Sequence, residues 1–266
     1  MPAIAARAPR CDVAVAAGGT ALAEAVAQAP KGARLCLAAG SHAGGFALDK
    51  SLTLIGTPGA VPTVIQGNSR SPALHIDDDG LAIRLQGLTL SGGTSDAGGG
   101  LAVYGRGKVT LVDTIFRNNR AGMTGGGGLY ARAGLLTVEN CRFEANDGRQ
   151  GGAVFLDQAL KAEFKRCTFT GNRGVQAGAL RISEAAEATF KACQLHDNAG
   201  QDGASVRISA TKSRKPTVVF DHCTIDDGLL VNGPEIVGDI TIKGSKLPAS
   251  WKTTPNLQDG GSNTFN

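Results

Sequence analysis

The sequence predicts an all-β chain, a single-stranded right-handed parallel β-helix solenoid with three short strands per coil and an N-terminal capping helix. Three observations carry this. Phenylalanine and asparagine return to the same slots in Phe116-Arg-Asn-Asn119, Phe143-Glu-Ala-Asn146, Phe169-Thr-Gly-Asn172 and Leu195-His-Asp-Asn198, whose asparagines lie 27, 26 and 26 residues apart. A Gly-Gly-x-apolar block runs in phase with them at Gly99-Gly100, Gly127-Gly128 and Gly151-Gly152, weakening to Ala177-Gly178. Between the two blocks lie alternating apolar pairs, Leu136/Val138, Ala162/Phe164, Ala188/Phe190 and Val218/Phe220, the period-two signature of strands with one buried face.

Each element follows in order. Residues 1–39 read as an N-terminal cap with a helix over 20–29, which Thr20 caps and Pro30 stops. The helix plugs the first coil, which would otherwise expose apolar lumen and unpaired strand edges. Residues 40–246 read as coils. In one turn Leu129 and Ala131, then Leu136 and Val138, then Cys141 and Phe143 point inward. Connections of two to four residues cannot hold crossover helices, so successive turns stack as parallel strands. The 38 glycines suit corners that need positive φ, and only 5% aromatics suits a narrow lumen. Residues 247–266, with the only tryptophan, Trp251, read as an irregular C-terminal cap, so 1–266 forms one domain.

Cys141, Cys167, Cys193 and Cys223 each fall two residues before the inward Phe, Leu or Ile of a turn and form an interior ladder. No Cys-x-x-Cys is present, which favours buried thiols acting as small hydrophobes over a metal or redox site. Cys11 and Cys36, 25 residues apart, lie in the cap, where a disulfide can form if the protein is secreted. A net charge of +4, spread along the chain, gives no basis for a nucleic-acid partner. No apolar run is long enough to span a membrane, and two arginines within residues 1–10 interrupt any signal-peptide core. The expectation is an extracellular or cell-surface monomer whose signal has been removed, the alternative being a cytoplasmic protein.

The Phe-x-x-Asn and Gly-Gly-Ala-Val motifs over residues 96–205 resemble the repeats of polymorphic outer-membrane proteins, β-helical bacterial surface passengers. That resemblance implies a ladder of stacked, hydrogen-bonded asparagines, Asn119, Asn146, Asn172 and Asn198, and an adhesive activity. The stretch from Val15 through Leu52-Thr-Leu-Ile-Gly56 looks like the cap of the pectin-lyase-like superfamily. The superfamily's enzymes imply a second possibility, a polysaccharide lyase or hydrolase. Of the polygalacturonase motifs only Asp226-Asp227 and Arg181-Ile-Ser183 have counterparts, and Asp221-His222 resembles one pectate lyase segment. No second carboxylate stands in phase to complete an acid–base pair, so no catalytic residue is assigned.

Alternation on the strand after the glycine block places Ala102, Tyr130, Phe155, Arg181 and Arg207 in one outward column, with Tyr104, Arg132, Asp157, Ser183 and Ser209 beside it. Exposed aromatics in line with arginines can stack on sugar rings while the arginines pair with carboxylates or sulfates. Tyr130, Phe155, Arg181, Arg207, Arg132 and Asp157 are therefore the ligand-binding candidates, for a glycan or a cell-surface protein. The competing reading is that the aromatics only stack along the sheet and strengthen it. Asp77-Asp78-Asp79 before Gly80 is a weak calcium candidate that also makes a good turn; no other cofactor is expected. The leading expectation is a non-catalytic surface or adhesion module, with the acidic-glycan enzyme and a purely structural assembly element as alternatives.

Overall fold

The computed structural model describes residues 10–132, 134–158, 160–184, 186–200, 204–210, 214–226, 228–232, 239–254 and 257–266. Among these, the strands stack into parallel sheets of eleven, ten, eight and five members, each strand pairing with its counterpart one coil away. Successive coils therefore stand about 4.8 Å apart.

The period-two pairs become inward columns. In the eleven-stranded sheet Leu85, Leu111, Val138, Phe164, Phe190, Phe220 and Ile242 lie in register. In the ten-stranded sheet Leu90, Phe116, Phe143, Phe169, Leu195 and Ile225 do the same. Rings that repeat once per coil must stack: Phe116, Phe143 and Phe169 sit 4.8 and 4.9 Å apart and nearly parallel. Phe164, Phe190 and Phe220 follow at 4.9 and 5.1 Å. These columns form one continuous buried core.

Three strands per coil describe part of the solenoid. In five middle coils there is a fourth, two-residue strand, at Thr94–Ser95 and, directly after the ladder asparagines, at Arg120–Ala121, Asp147–Gly148, Arg173–Gly174 and Ala199–Gly200.

The corners differ from the sequence expectation. Many residues at left-handed φ are not glycine: Asp113, Asn140, Arg166, Ala192 and His222 precede one turn, and Asn118, Ala145 and Asp197 another. The Gly-Gly block is needed for close approach instead. A Cβ on Gly126 would lie 2.3 Å from the Leu129 oxygen and 2.4 Å from the Phe155 nitrogen.

The helix spans Ala21–Gln28, with Leu22 and Val26 buried in the core. Thr20 holds the N-cap position without capping a backbone amide, its hydroxyl donating to Glu24 instead. Cys11 and Cys36 are joined, their Cα atoms 5.7 Å apart, beside the pairing of Val13–Val15 with Leu35–Leu37. The segment 247–266 is more regular than expected. Its 3-10 helix Ala249–Thr253 buries Trp251 edge-on to Phe220 at 5.5 Å, and Leu257–Asp259 and Thr264–Phe265 extend two sheets.

Candidate functional site

The outer face of the eight-stranded sheet carries the candidate strip. Register sets Ala102, Tyr130, Phe155, Arg181 and Arg207 in one column, one residue per coil. The two aromatics face away from the lumen yet are not exposed: Tyr130 keeps 7% and Phe155 8% of its surface, which overturns their reading as a stacking platform. They form a second small core with Ala97, their rings 5.5 Å apart, and Tyr104 packs on Tyr130 at the same distance. The glycine corner packs closely beside them, since a Cβ on Gly126 would meet the Phe155 backbone nitrogen. Tyr104 remains 42% exposed.

Beside this covered ridge lies a groove of about 520 Å³ lined by Tyr130, Arg132, Phe155, Asp157, Arg181 and Ser183, among others. Asp157 accepts hydrogen bonds from the Tyr130 hydroxyl at 3.3 Å and the Ser183 hydroxyl at 3.0 Å. Burial, reinforced by the Asp157 charge, pushes the Tyr130 phenol above its ordinary value of 10.0. Burial, with Arg207 as a second cause, pushes the Arg181 guanidinium down to about 10, so it stays cationic at neutral pH. Arg181 donates from Nη1 to Ser209, while its buried Nε has no hydrogen-bond partner among the described residues.

Four polar groove residues escaped the sequence reading. Thr124 and Gln150 reach in from the glycine corners, and Gln158 and Glu184 line the rim at left-handed φ of 56° and 46°. Glu184 is tied at 3.0 Å to Arg214, from the longest inter-coil insertion. No motif marks them; only the one-coil spacing from Gln158 to Glu184 hints at a shared position.

The other candidates lie elsewhere. Asp79 accepts the Arg106 amide at 2.6 Å and Asp77 sits 3.5 Å from His75. Among the described residues no group of three His, Cys, Asp or Glu is arranged to hold a metal ion. Asp221 is engaged by His222 at 2.5 Å, which with smaller effects holds its carboxyl below the usual range; Asp227 lies outside the described residues.

Asn119, Asn146, Asn172 and Asn198 form a buried ladder, the Nδ2 of each of the first three donating to the Oδ1 of the next at 2.8–3.0 Å. Cys141, Cys167, Cys193 and Cys223 are buried free thiols. Cys167 lies 3.4 Å from the Lys165 oxygen and 3.6 Å from the Val138 oxygen. Thr114 and Ser245 hold the corresponding contacts in flanking coils. Burial puts all four thiols out of reach of reagents in the folded chain.

Among the described residues, no helix is long and apolar enough to cross a membrane. The comparison with curated proteins gives no match. Among solved structures, a pectin methylesterase from Erwinia chrysanthemi is similar at TM-score 0.62 and 11% identity, covering 96% of this chain and 94% of that one. A carrot pectin methylesterase follows at 0.58 and 13%, covering 89% and 82%. An alginate lyase from Paenibacillus sp. str. FPU-7 follows at 0.52 and 12%, covering 94% and 99%. At such identities these likenesses concern the fold, the parallel β-helix of the pectin-lyase-like kind. The profile described as "Right handed beta helix region" matches residues 72–246, well over half of the sequence and all the coils that line the groove. The chain therefore belongs to the right-handed β-helix family.

Proposed function

We propose that the protein is a non-catalytic binding module whose groove takes an acidic glycan. Arg181 carries the reading: its guanidinium lines the same groove as Arg132, and its buried Nε has no hydrogen-bond acceptor among the described residues. A buried donor without a partner costs about 1–3 kcal/mol, and an anionic group in the groove relieves that cost with charge-assisted hydrogen bonds. Asp157 then reads sugar hydroxyls. The Cys11–Cys36 bond supports an oxidising, extracytoplasmic location.

A second reading, an enzyme acting on a glycan in the same groove, is favoured by the Tyr130–Asp157–Ser183 hydrogen-bonded set. Solved structures of similar fold include proteins described as pectin methylesterases and an alginate lyase.

One experiment separates the two. The purified protein is incubated with polygalacturonate, methyl-esterified pectin, alginate and a neutral glucan, and binding, polymer length and methanol release are followed. The binding reading expects retention on acidic polymers, lost in Arg181→Ala, with polymers intact. Shortening or methanol release that disappears in Asp157→Asn would establish the enzyme instead.

A further inference from the structure

We propose that the groove selects a glycan with a carboxylate on every second sugar and a neutral sugar between, in preference to a polymer with a carboxylate on every sugar. This deepens the acidic-glycan reading above and rests on it.

Register fixes the order of charges along the solenoid axis. Val103, Ala131, Leu156 and Ile182 pair in succession, one per coil. Tyr104, Arg132 and Asp157 directly follow the first three, and Arg181 directly precedes the fourth. The wall therefore reads Tyr104, Arg132, Asp157, Arg181, in steps of about 4.8 Å. Its two arginines stand two coils apart, roughly 10 Å, and the coil between them presents a carboxylate. Arg132, Asp157 and Arg181 all line the groove, where Arg132 is exposed and has no ion-pair partner among the described residues. Asp157 accepts from the Tyr130 and Ser183 hydroxyls. A carboxylate has about four acceptor sites, so Asp157 keeps some for sugar hydroxyls.

Tyr104 stands one coil before Arg132, and its surroundings are acidic. Ile76 pairs with Val103, which sets Asp77 one coil before Tyr104. Asp77 and Asp96 are both exposed. Burial, then the charges of Asp77 and Asp96, raises the Tyr104 phenol, in keeping with carboxylates close to the ring. Tyr130 braces that ring at 5.5 Å while much of it stays open to solvent. An open aromatic face stacks on a sugar ring. The carboxylates around it accept from hydroxyls and repel a uronate.

A pyranose unit in an extended glycan is about as long as one coil is tall. A chain lying along the axis then sets a neutral sugar on Tyr104, a uronate at Arg132, a neutral sugar facing Asp157 and a uronate at Arg181. A polymer with an acid on every sugar brings carboxylates to Asp157 and to the acidic surroundings of Tyr104, where like charges repel.

The test titrates hexasaccharides by calorimetry against the full chain. Hyaluronan and desulfated chondroitin carry a uronate on every second sugar, oligogalacturonate carries one on every sugar and cellohexaose carries none. At least one of the two alternating glycans should bind about tenfold more tightly than oligogalacturonate. Asp157→Asn, which removes the charge and keeps an acceptor, should bring that preference to within about threefold by strengthening the oligogalacturonate arm. Arg132→Gln should weaken the alternating glycans about tenfold. Tyr104→Ala should weaken them roughly fivefold, and Tyr104→Phe, which keeps the ring, should retain their affinity. Circular dichroism and the melting temperature of each variant establish that it is folded.

Oligogalacturonate binding at least as tightly as both alternating glycans, in an Arg181-dependent way, overturns this inference and leaves the acidic-glycan reading standing. A preference that persists unchanged in Asp157→Asn overturns it as well, because alternation of charge is then not its cause. Failure of every acidic hexasaccharide to bind, or equal binding of cellohexaose, overturns both.

Discussion

Replacing Asn146 with alanine should cost about 3 kcal/mol of stability. The side chain is 1% exposed and makes four hydrogen bonds. Its Nδ2 donates to the Phe116 oxygen at 2.9 Å and to Asn172 Oδ1 at 3.0 Å. Its Oδ1 accepts from the Asn119 amide at 3.2 Å and from Asn119 Nδ2 at 3.0 Å. Truncation leaves the Asn119 amide and one of the two Nδ2 hydrogens of Asn119 without a partner, the other still donating to the Leu90 oxygen. A buried donor without a partner costs about 1–3 kcal/mol, so two cost roughly 2–6, and the lower half applies because Asn119 Nδ2 keeps its bond to the Leu90 oxygen. Guanidinium unfolding followed by far-ultraviolet circular dichroism measures the change. Asn146→Asp is the companion variant, because a carboxylate restores the acceptor but turns two former donor contacts into oxygen–oxygen repulsion. It should be at least as destabilising as alanine at pH 7 and recover part of the loss at low pH, where the protonated carboxyl donates again. A loss below about 1 kcal/mol for Asn146→Ala would show that the ladder does not satisfy these donors and would refute the reasoning.

Three further outcomes follow from the same geometry. Gly126→Ala should lower stability by about 2–3 kcal/mol, read as a shift in denaturation midpoint, because its new Cβ would meet backbone atoms of Leu129 and Phe155 that have nowhere to go. The chain's two tyrosines should both ionise above the ordinary phenol value of 10.0, Tyr130 later than Tyr104, when followed by phenolate absorbance. Since a raised folded-state value favours the neutral phenol, the stability it contributes is complete below the unfolded value and is lost as pH rises above it; Tyr130→Phe should therefore lessen alkaline unfolding. Four thiols should react with a disulfide reagent only after denaturation, and two more only after reduction; reaction of the four in the native state would contradict their burial.

The coil period was legible because it rests on side-chain alternation and on rings that must stack, as Phe143 and Phe169 do. The direction of each strip residue was legible for the same reason. What alternation cannot reveal is whether an outward side chain meets water. Tyr130 and Phe155 point away from the lumen and are covered all the same, since the corner that packs beside them is built from glycines and Ala97, residues that announce no contact. The left-handed corners were hidden too: Ala192 and Arg166 take a conformation that their propensities disfavour, because the coil closes no other way at those points. The two-residue strands at Arg120, Asp147 and Arg173 escaped because one charged residue followed by alanine or glycine carries no alternation. Glu184 enters the groove from a rim that only the folded chain assembles.

The one-residue-per-coil columns make the outer wall additive. Each coil contributes a single position to the strip, and its neighbours constrain that position only through backbone pairing. Duplicating one coil would lengthen the groove by about 4.8 Å and add one new position to the strip, leaving the remaining sequence and its partners unchanged. The lumen would register the event only as one more ring or aliphatic group on an existing pile. A wall of this kind can change what it holds by gaining or losing whole layers, a route closed to folds whose sites draw on residues scattered through one shared core.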